Sequence, residues 1–90
     1  MEDQEALLTA GEDAELILNN NSFNSVINQL VDASFQAFCN SKPEDKEKRE
    51  MSYLHYRALV DIVSTLQQRV QVKNEIIQKQ DDDNNQKEDE

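Results

Sequence analysis

Apolar residues recur three or four positions apart along most of residues 44–79, which is the period of one face of an α-helix. This stripe consists of Met51, Leu54, Leu59, Ile62, Val63, Leu66, Val70 and Ile77. Neither glycine nor proline interrupts the segment. The pattern therefore predicts one helix roughly 54 Å long at 1.5 Å per residue, which is much longer than the average globular helix. Something must cover its apolar face.

A second amphipathic pattern predicts a helix over residues 22–40, and it contains all three phenylalanines of the chain. Its apolar positions are Phe23, Val26, Ile27, Leu30, Val31, Phe35 and Phe38. A shorter helix is predicted for residues 12–19, and a run of three asparagines occupies residues 19–21. Because asparagine favours caps and turns, this run is expected to end the first helix and cap the second.

The only sharp corner in the middle of the chain is Asn-Ser-Lys-Pro at residues 40–43. Ser41 and Glu44 match the capping-box spacing, which predicts that the long helix begins near residue 44. So short a corner predicts an antiparallel pair. The predicted fold class is thus all-α, an antiparallel helical hairpin with one short N-terminal helix and one long C-terminal helix. The middle helix reaches back only to about Ser64, and the first helix is available to cover residues 66–70.

The distribution of charged residues predicts where the folded domain begins and ends. The net charge is −10, and six acids fall in residues 1–21 without any base, and six more in residues 81–90 beside Lys87 alone. Segments of this kind bury too little apolar surface to order themselves. The predicted organisation is a disordered acidic N-terminus at residues 1–11, a hairpin domain at 12–80 and a disordered acidic tail at 81–90.

Candidate catalytic chemistry is sparse. His55 is the only histidine and Cys39 the only thiol, and one of each falls short of a zinc site. Cys39 is expected to be a small buried hydrophobic residue. A single glycine leaves no phosphate-cradling loop. No enzyme activity, metal or cofactor is predicted. Without a leader, a membrane span or a disulfide pair, a cytoplasmic location is expected.

The far end of the long helix and its tyrosine side have nothing to cover them within one hairpin. Exposed apolar surface of this kind marks association, so a homo-oligomer is predicted, with fraying of the helix end as the alternative. The predicted contact residues are Tyr53, Tyr56, Leu66, Val70, Val72, Ile76 and Ile77. A mildly basic stripe of Arg57, Arg69, Lys73 and Lys79 is a candidate DNA contact, although such a stripe is more often a solvated face.

Four short segments of the chain form a distinctive series. They are Leu-Ile-Leu-Asn-Asn at residues 16–20, Ser-Phe at 22–23, Ser-Lys-Pro-Glu-Asp at 41–45 and Lys-Arg-Glu at 48–50. This series resembles a group of small acidic proteins encoded by tailed bacteriophages. In outline the hairpin is similar to the oligomerisation core of small terminase subunits, which form rings, recognise viral DNA and regulate the packaging motor. The resemblance implies a role in DNA packaging or head assembly beside a larger viral protein, in the cytoplasm of the host cell.

Two other classes of function fit the same pattern. An acidic inhibitor or DNA mimic would use the charged ends to occupy a basic site on a host protein. A transient scaffold or chaperone would coat its partner only during assembly.

Overall fold

Three α-helices make up nearly all of the part of the chain that the structure describes. The structure, a computed structural model, describes the backbone of residues 3–88 and the side chains of residues 3–84. Helix α1 is Gln4–Leu18, α2 is Asn21–Cys39 and α3 is Lys46–Glu88. Residues 3–88 contain no strand. The predicted all-α class is confirmed.

Both ends are more helical than the sequence predicts. Helix covers residues 4–11 and 81–88, which fall in the predicted disordered ends; residues 1, 2, 89 and 90 of those ends lie outside the described residues. At the N-terminus, the Asp3 carboxylate accepts a hydrogen bond from the Glu5 N–H at 3.1 Å, as an N-cap residue does. The residues that follow, Gln-Glu-Ala-Leu-Leu, are strong helix formers. The start of α1 therefore has a local cause.

The asparagine run separates α1 from α2 as predicted. Asn20 is the N-cap of α2, with extended backbone angles of φ −85° and ψ 116°. Its side-chain oxygen accepts a hydrogen bond from the Phe23 N–H at 2.8 Å. This bond satisfies one of the four N–H groups that the first turn of a helix leaves without a partner.

The corner between α2 and α3 differs from the predicted capping box. The Ser41 hydroxyl donates to the Phe38 carbonyl at 2.6 Å, so Ser41 closes α2 instead of opening α3. The chain then makes a turn in which the Asp45 N–H donates to the Lys42 carbonyl at 2.9 Å, and α3 begins at Lys46. Pro43 explains why Ser41 does not cap α3: Lys42 would have to be the first helical residue, and the residue before a proline avoids helical geometry.

The chain divides into two compact units, and α3 contributes to both. The central unit is Asn19–Thr65, and the acidic unit combines Met1–Leu18 with Leu66–Glu90. The boundaries fall inside the hairpin domain predicted for residues 12–80. In the sequence, the central unit has five bases and six acids for a net charge of −1, whereas the acidic unit has four bases and thirteen acids for −9. Nearly all of the negative charge therefore belongs to one unit.

In the central unit, the residues of α3 that are not exposed lie mostly three or four apart. They are Arg49, Ser52, Tyr56, Leu59, Val60 and Val63. Ser52 is buried and its hydroxyl donates to the Lys48 carbonyl at 3.0 Å, so its polar atom has a partner. On α2 the least exposed residues are Phe23, Asn24, Ile27, Val31 and Ser34. Among the side chains of residues 3–84, no large one is fully buried.

In the acidic unit, α1 lies against α3 at a point of very close approach. Gly11 and Ala14 are the buried residues of α1. A Cβ atom added to Gly11 would lie 2.8 Å from the Arg69 carbonyl oxygen and would also meet the Lys73 Cβ. Only a residue without a side chain fits there. The position of α1 agrees with the expectation that the first helix covers residues 66–70, and it extends that contact to Lys73.

Candidate association surfaces

Four aromatic rings form a cluster in the central unit. Phe35 pairs with Tyr56 at a centroid distance of 6.1 Å and Phe38 pairs with Tyr53 at 6.3 Å, both with tilted ring planes. Such pairs contribute about 0.5–1.5 kcal/mol each beyond their burial. The same four rings line a depression of about 190 Å³. Phe35 and Tyr53 remain about half exposed. The cluster thus holds α2 against α3 while still presenting apolar surface to solvent.

A second apolar surface of the central unit, the aliphatic stripe, is exposed on both helices. It consists of Val26 and Leu30 on α2 and of Met51, Leu54 and Ile62 on α3. Helix geometry puts Val26 and Leu30 on one face of α2, and Met51 and Ile62 on one face of α3. Met51, Leu54 and Ile62 belong to the stripe that the sequence predicts to be covered, and their exposure corrects that prediction. The covered face is rotated toward Ser52 and Tyr56.

The predicted contact residues fall into three groups. Tyr53 and Tyr56 belong to the aromatic cluster. Leu66, Val70 and Ile76 are partly covered, and Val72 and Ile77 are exposed. Val70 also lies in an open groove of about 520 Å³ whose other lining residues are polar, including Gln67, Gln71, Asn74 and Gln78. All of the predicted contact residues lie on α3, whereas α2 also exposes an apolar face. The spacing of four, three and four between Val26, Leu30, Ala33 and Ala37 indicates that face in the sequence.

The four bases of the predicted DNA-contacting stripe have different surroundings. Lys73 is only 8% exposed, and its ammonium donates to the Glu15 carboxylate at 2.6 Å. The Arg57 guanidinium donates to Asp61 at 3.2 Å, with both side chains exposed. Arg69 and Lys79 are exposed. Lys73 is therefore covered by α1 and already neutralised by a carboxylate, and DNA contact by the stripe stays a prediction.

The Glu15–Lys73 pair predicts an asymmetric response to mutation. Lys73 is buried, whereas the Glu15 side chain is 45% exposed and keeps part of its hydration. Glu15→Ala should lower the free energy of unfolding by about 1–3 kcal/mol, because it leaves a buried ammonium unpaired. Lys73→Met should cost less than about 1 kcal/mol, because the aliphatic stem still packs and Glu15 turns to water. Urea denaturation followed by circular dichroism at one protein concentration measures both, and equal losses would contradict this explanation.

The residues with catalytic or ligand potential do not converge. Cys39, predicted to be buried, is an exposed free thiol at the last residue of α2. His55 is exposed on α3. Within residues 3–84, no three His, Cys, Asp or Glu side chains are grouped so that they could hold a metal ion. In the same part of the chain, none of the helices combines the length and apolarity that a bilayer span requires.

Comparisons with known proteins were made at three levels. No protein-family model, curated protein or solved structure matches the chain. The surfaces described above are therefore the basis on which a function can be argued.

Proposed function

We propose that the chain is a non-enzymatic helical protein that works by self-association through its central unit. One observation carries this proposal: the central unit exposes an apolar stripe, while no large side chain among residues 3–84 is fully buried. Residues 3–84 bury no large side chain completely, yet Val26, Leu30, Met51, Leu54 and Ile62 remain open to solvent in the central unit. Two helices cannot enclose a core, and burying such side chains is worth about 1.5–3 kcal/mol each. A second copy would supply the missing layer.

The proposed arrangement within one copy is an antiparallel hairpin of α2 and the first part of α3. The support is the order of the ring pairs: residue numbers rise from Phe35 to Phe38 on α2 while those of their partners fall from Tyr56 to Tyr53 on α3. In such a hairpin the faces bearing Leu30 and Ile62 lie on the side opposite the aromatic cluster. Association through the aliphatic stripe would then leave the aromatic cluster free to contact another protein.

Charge favours a second copy as the occupant of the aliphatic stripe. The central unit has a net charge of only −1, with bases and acids interspersed, so two central units repel each other weakly. A partner with a strongly charged face would find no complementary charge there. When the same surface pairs with itself, the result is a closed symmetric interface in which Leu30 and Ile62 each occur twice.

The resemblance to the phage proteins supports a more specific form of this proposal. In that form the oligomer acts in tailed-phage DNA packaging or head assembly, as small terminase subunits do, and contacts a larger viral protein. Direct DNA contact is not part of it, because burial of Lys73 interrupts the basic stripe. The charge of −9 on the acidic unit favours the alternative of an acidic inhibitor or DNA mimic, which would bind a basic site on a host protein.

Sedimentation equilibrium over a range of micromolar concentrations tests the proposal. We expect masses that are multiples of 10.4 kDa and that rise with concentration. A helical monomer at every concentration would rule out self-association. For the alternative, the measurement is retention of a basic DNA-binding protein at low salt and its release at high salt. If the oligomer also shifted duplex DNA in a gel, direct DNA contact would have to be added to the proposed role in packaging.

A further inference from the structure

The acidic unit contains an open groove of about 490 Å³ that the self-association proposal does not use. Its floor includes Ala6, Ala10 and Ile17 of α1 and Leu66 of α3. Ala6 and Ala10 are one helical turn apart, and their small side chains leave the depression open. Ile17 is 38% exposed, so it presents apolar surface that a bound molecule would cover.

Carboxylates border this apolar floor. Asp3, Glu5 and Asp13 line the groove, and among the lining side chains of residues 3–84 Arg69 is the one base. The unit that carries the groove has a net charge of −9, which adds a long-range attraction for positive charge. Because Arg69 would repel a base placed over it, the positive charges of a ligand belong beside the three acids.

We propose that this groove binds a basic amphipathic helix of another protein. Its apolar residues, at the spacing of i, i+3 or i+4 and i+7, would pack on Ile17 and Leu66, and flanking lysines and arginines would pair with Asp3, Glu5 and Asp13. The floor supplies apolar contact, and the acids supply attraction and orientation. The partner is thus complementary to the groove both in apolarity and in charge. This surface is separate from the aliphatic stripe, so it adds a second partner to a self-associating chain.

The first test titrates the full chain into a labelled synthetic helical peptide that has a leucine ridge flanked by lysines. The groove variant Glu5→Lys with Asp13→Lys is compared with the control Asp81→Lys with Asp83→Lys, which changes the net charge equally but lies outside the groove. Asp3 is left unchanged because it caps α1. We expect the groove variant to bind at least about tenfold more weakly and the control to lose less than about threefold. Equal losses, or no binding by the wild-type chain, would overturn the proposal.

The second test separates apolar docking from charge. Ile17→Ser removes floor surface without changing the charge, and Leu16→Ser is its control, because Leu16 is 72% exposed and does not line the groove. Peptide affinity should fall for Ile17→Ser and stay within about twofold for Leu16→Ser. The same affinity for both variants would mean that the peptide is held by charge alone and would exclude the groove. Sedimentation of each variant reports self-association independently, so failure of groove binding leaves that proposal standing.

Discussion

Replacing Gly11 with alanine is expected to destabilise the chain, although alanine is the better helix former. At an ordinary helix position this change stabilises by about 1 kcal/mol. Here the new Cβ would lie 2.8 Å from the Arg69 carbonyl oxygen and would also overlap the Lys73 Cβ. These atoms belong to the body of α3, so α1 must move away. We expect a net loss of about 1–3 kcal/mol in the free energy of unfolding, with faster amide exchange in α1.

The neighbouring position provides the control. Glu12 is exposed, so alanine there should be more stable than glycine by about 1 kcal/mol. The order of alanine and glycine should therefore be reversed between positions 11 and 12. Urea denaturation of the wild type and of Gly11→Ala, Glu12→Ala and Glu12→Gly at one concentration gives both comparisons. If alanine stabilised the chain at both positions, the close approach of α1 to α3 would be refuted.

Replacing Leu30 and Ile62 together with glutamate is expected to dissociate the proposed oligomer. Both side chains are about half exposed in the single chain, so a charge there costs the monomer little. In the proposed interface the same change removes two apolar anchors and buries carboxylates without partners. We expect the dissociation constant to rise at least about a hundredfold, measured by sedimentation equilibrium.

A matched double variant controls for the added charge. Asn28 and Gln68 are exposed polar residues on α2 and α3, and helix geometry turns them away from Leu30 and Ile62. Asn28→Glu with Gln68→Glu adds the same charge and should leave the mass of the oligomer unchanged. Equal dissociation of both double variants would show that repulsion, and not the aliphatic stripe, governs association.

Where local chemistry determines an element, the sequence predicted it closely. The asparagine run and the Phe23 periodicity located α2 to within one residue of Asn21–Cys39, because a cap and an amphipathic face are local properties. The sequence also predicts the position of the corner correctly, but the capping-box spacing assigns Ser41 to the wrong helix. Its hydroxyl could serve either end, and only the backbone conformation imposed by Pro43 decides between them.

Where packing between helices decides, the apolarity of residues was a poor guide. Ser52 and Lys73 are polar yet buried, whereas Met51 is apolar yet exposed. Whether such a residue is buried depends on what a neighbouring helix brings to it. Lys73 is buried because Glu15 of α1 supplies a carboxylate for its ammonium. For the same reason the sequence predicts that Gly11 belongs to a disordered end, although it is a contact point between helices.

The unequal division of charge between the two units gives the chain the character of a surfactant molecule. In the proposed oligomer the nearly neutral central unit brings copies together, and the acidic unit is the charged head group. Self-pairing of the aliphatic stripe closes one interface, and further growth through the aromatic cluster would bring more head groups of −9 together, so their repulsion opposes an open aggregate. The same charge spread evenly along the chain would instead weaken the first contact, because the central units themselves would repel each other.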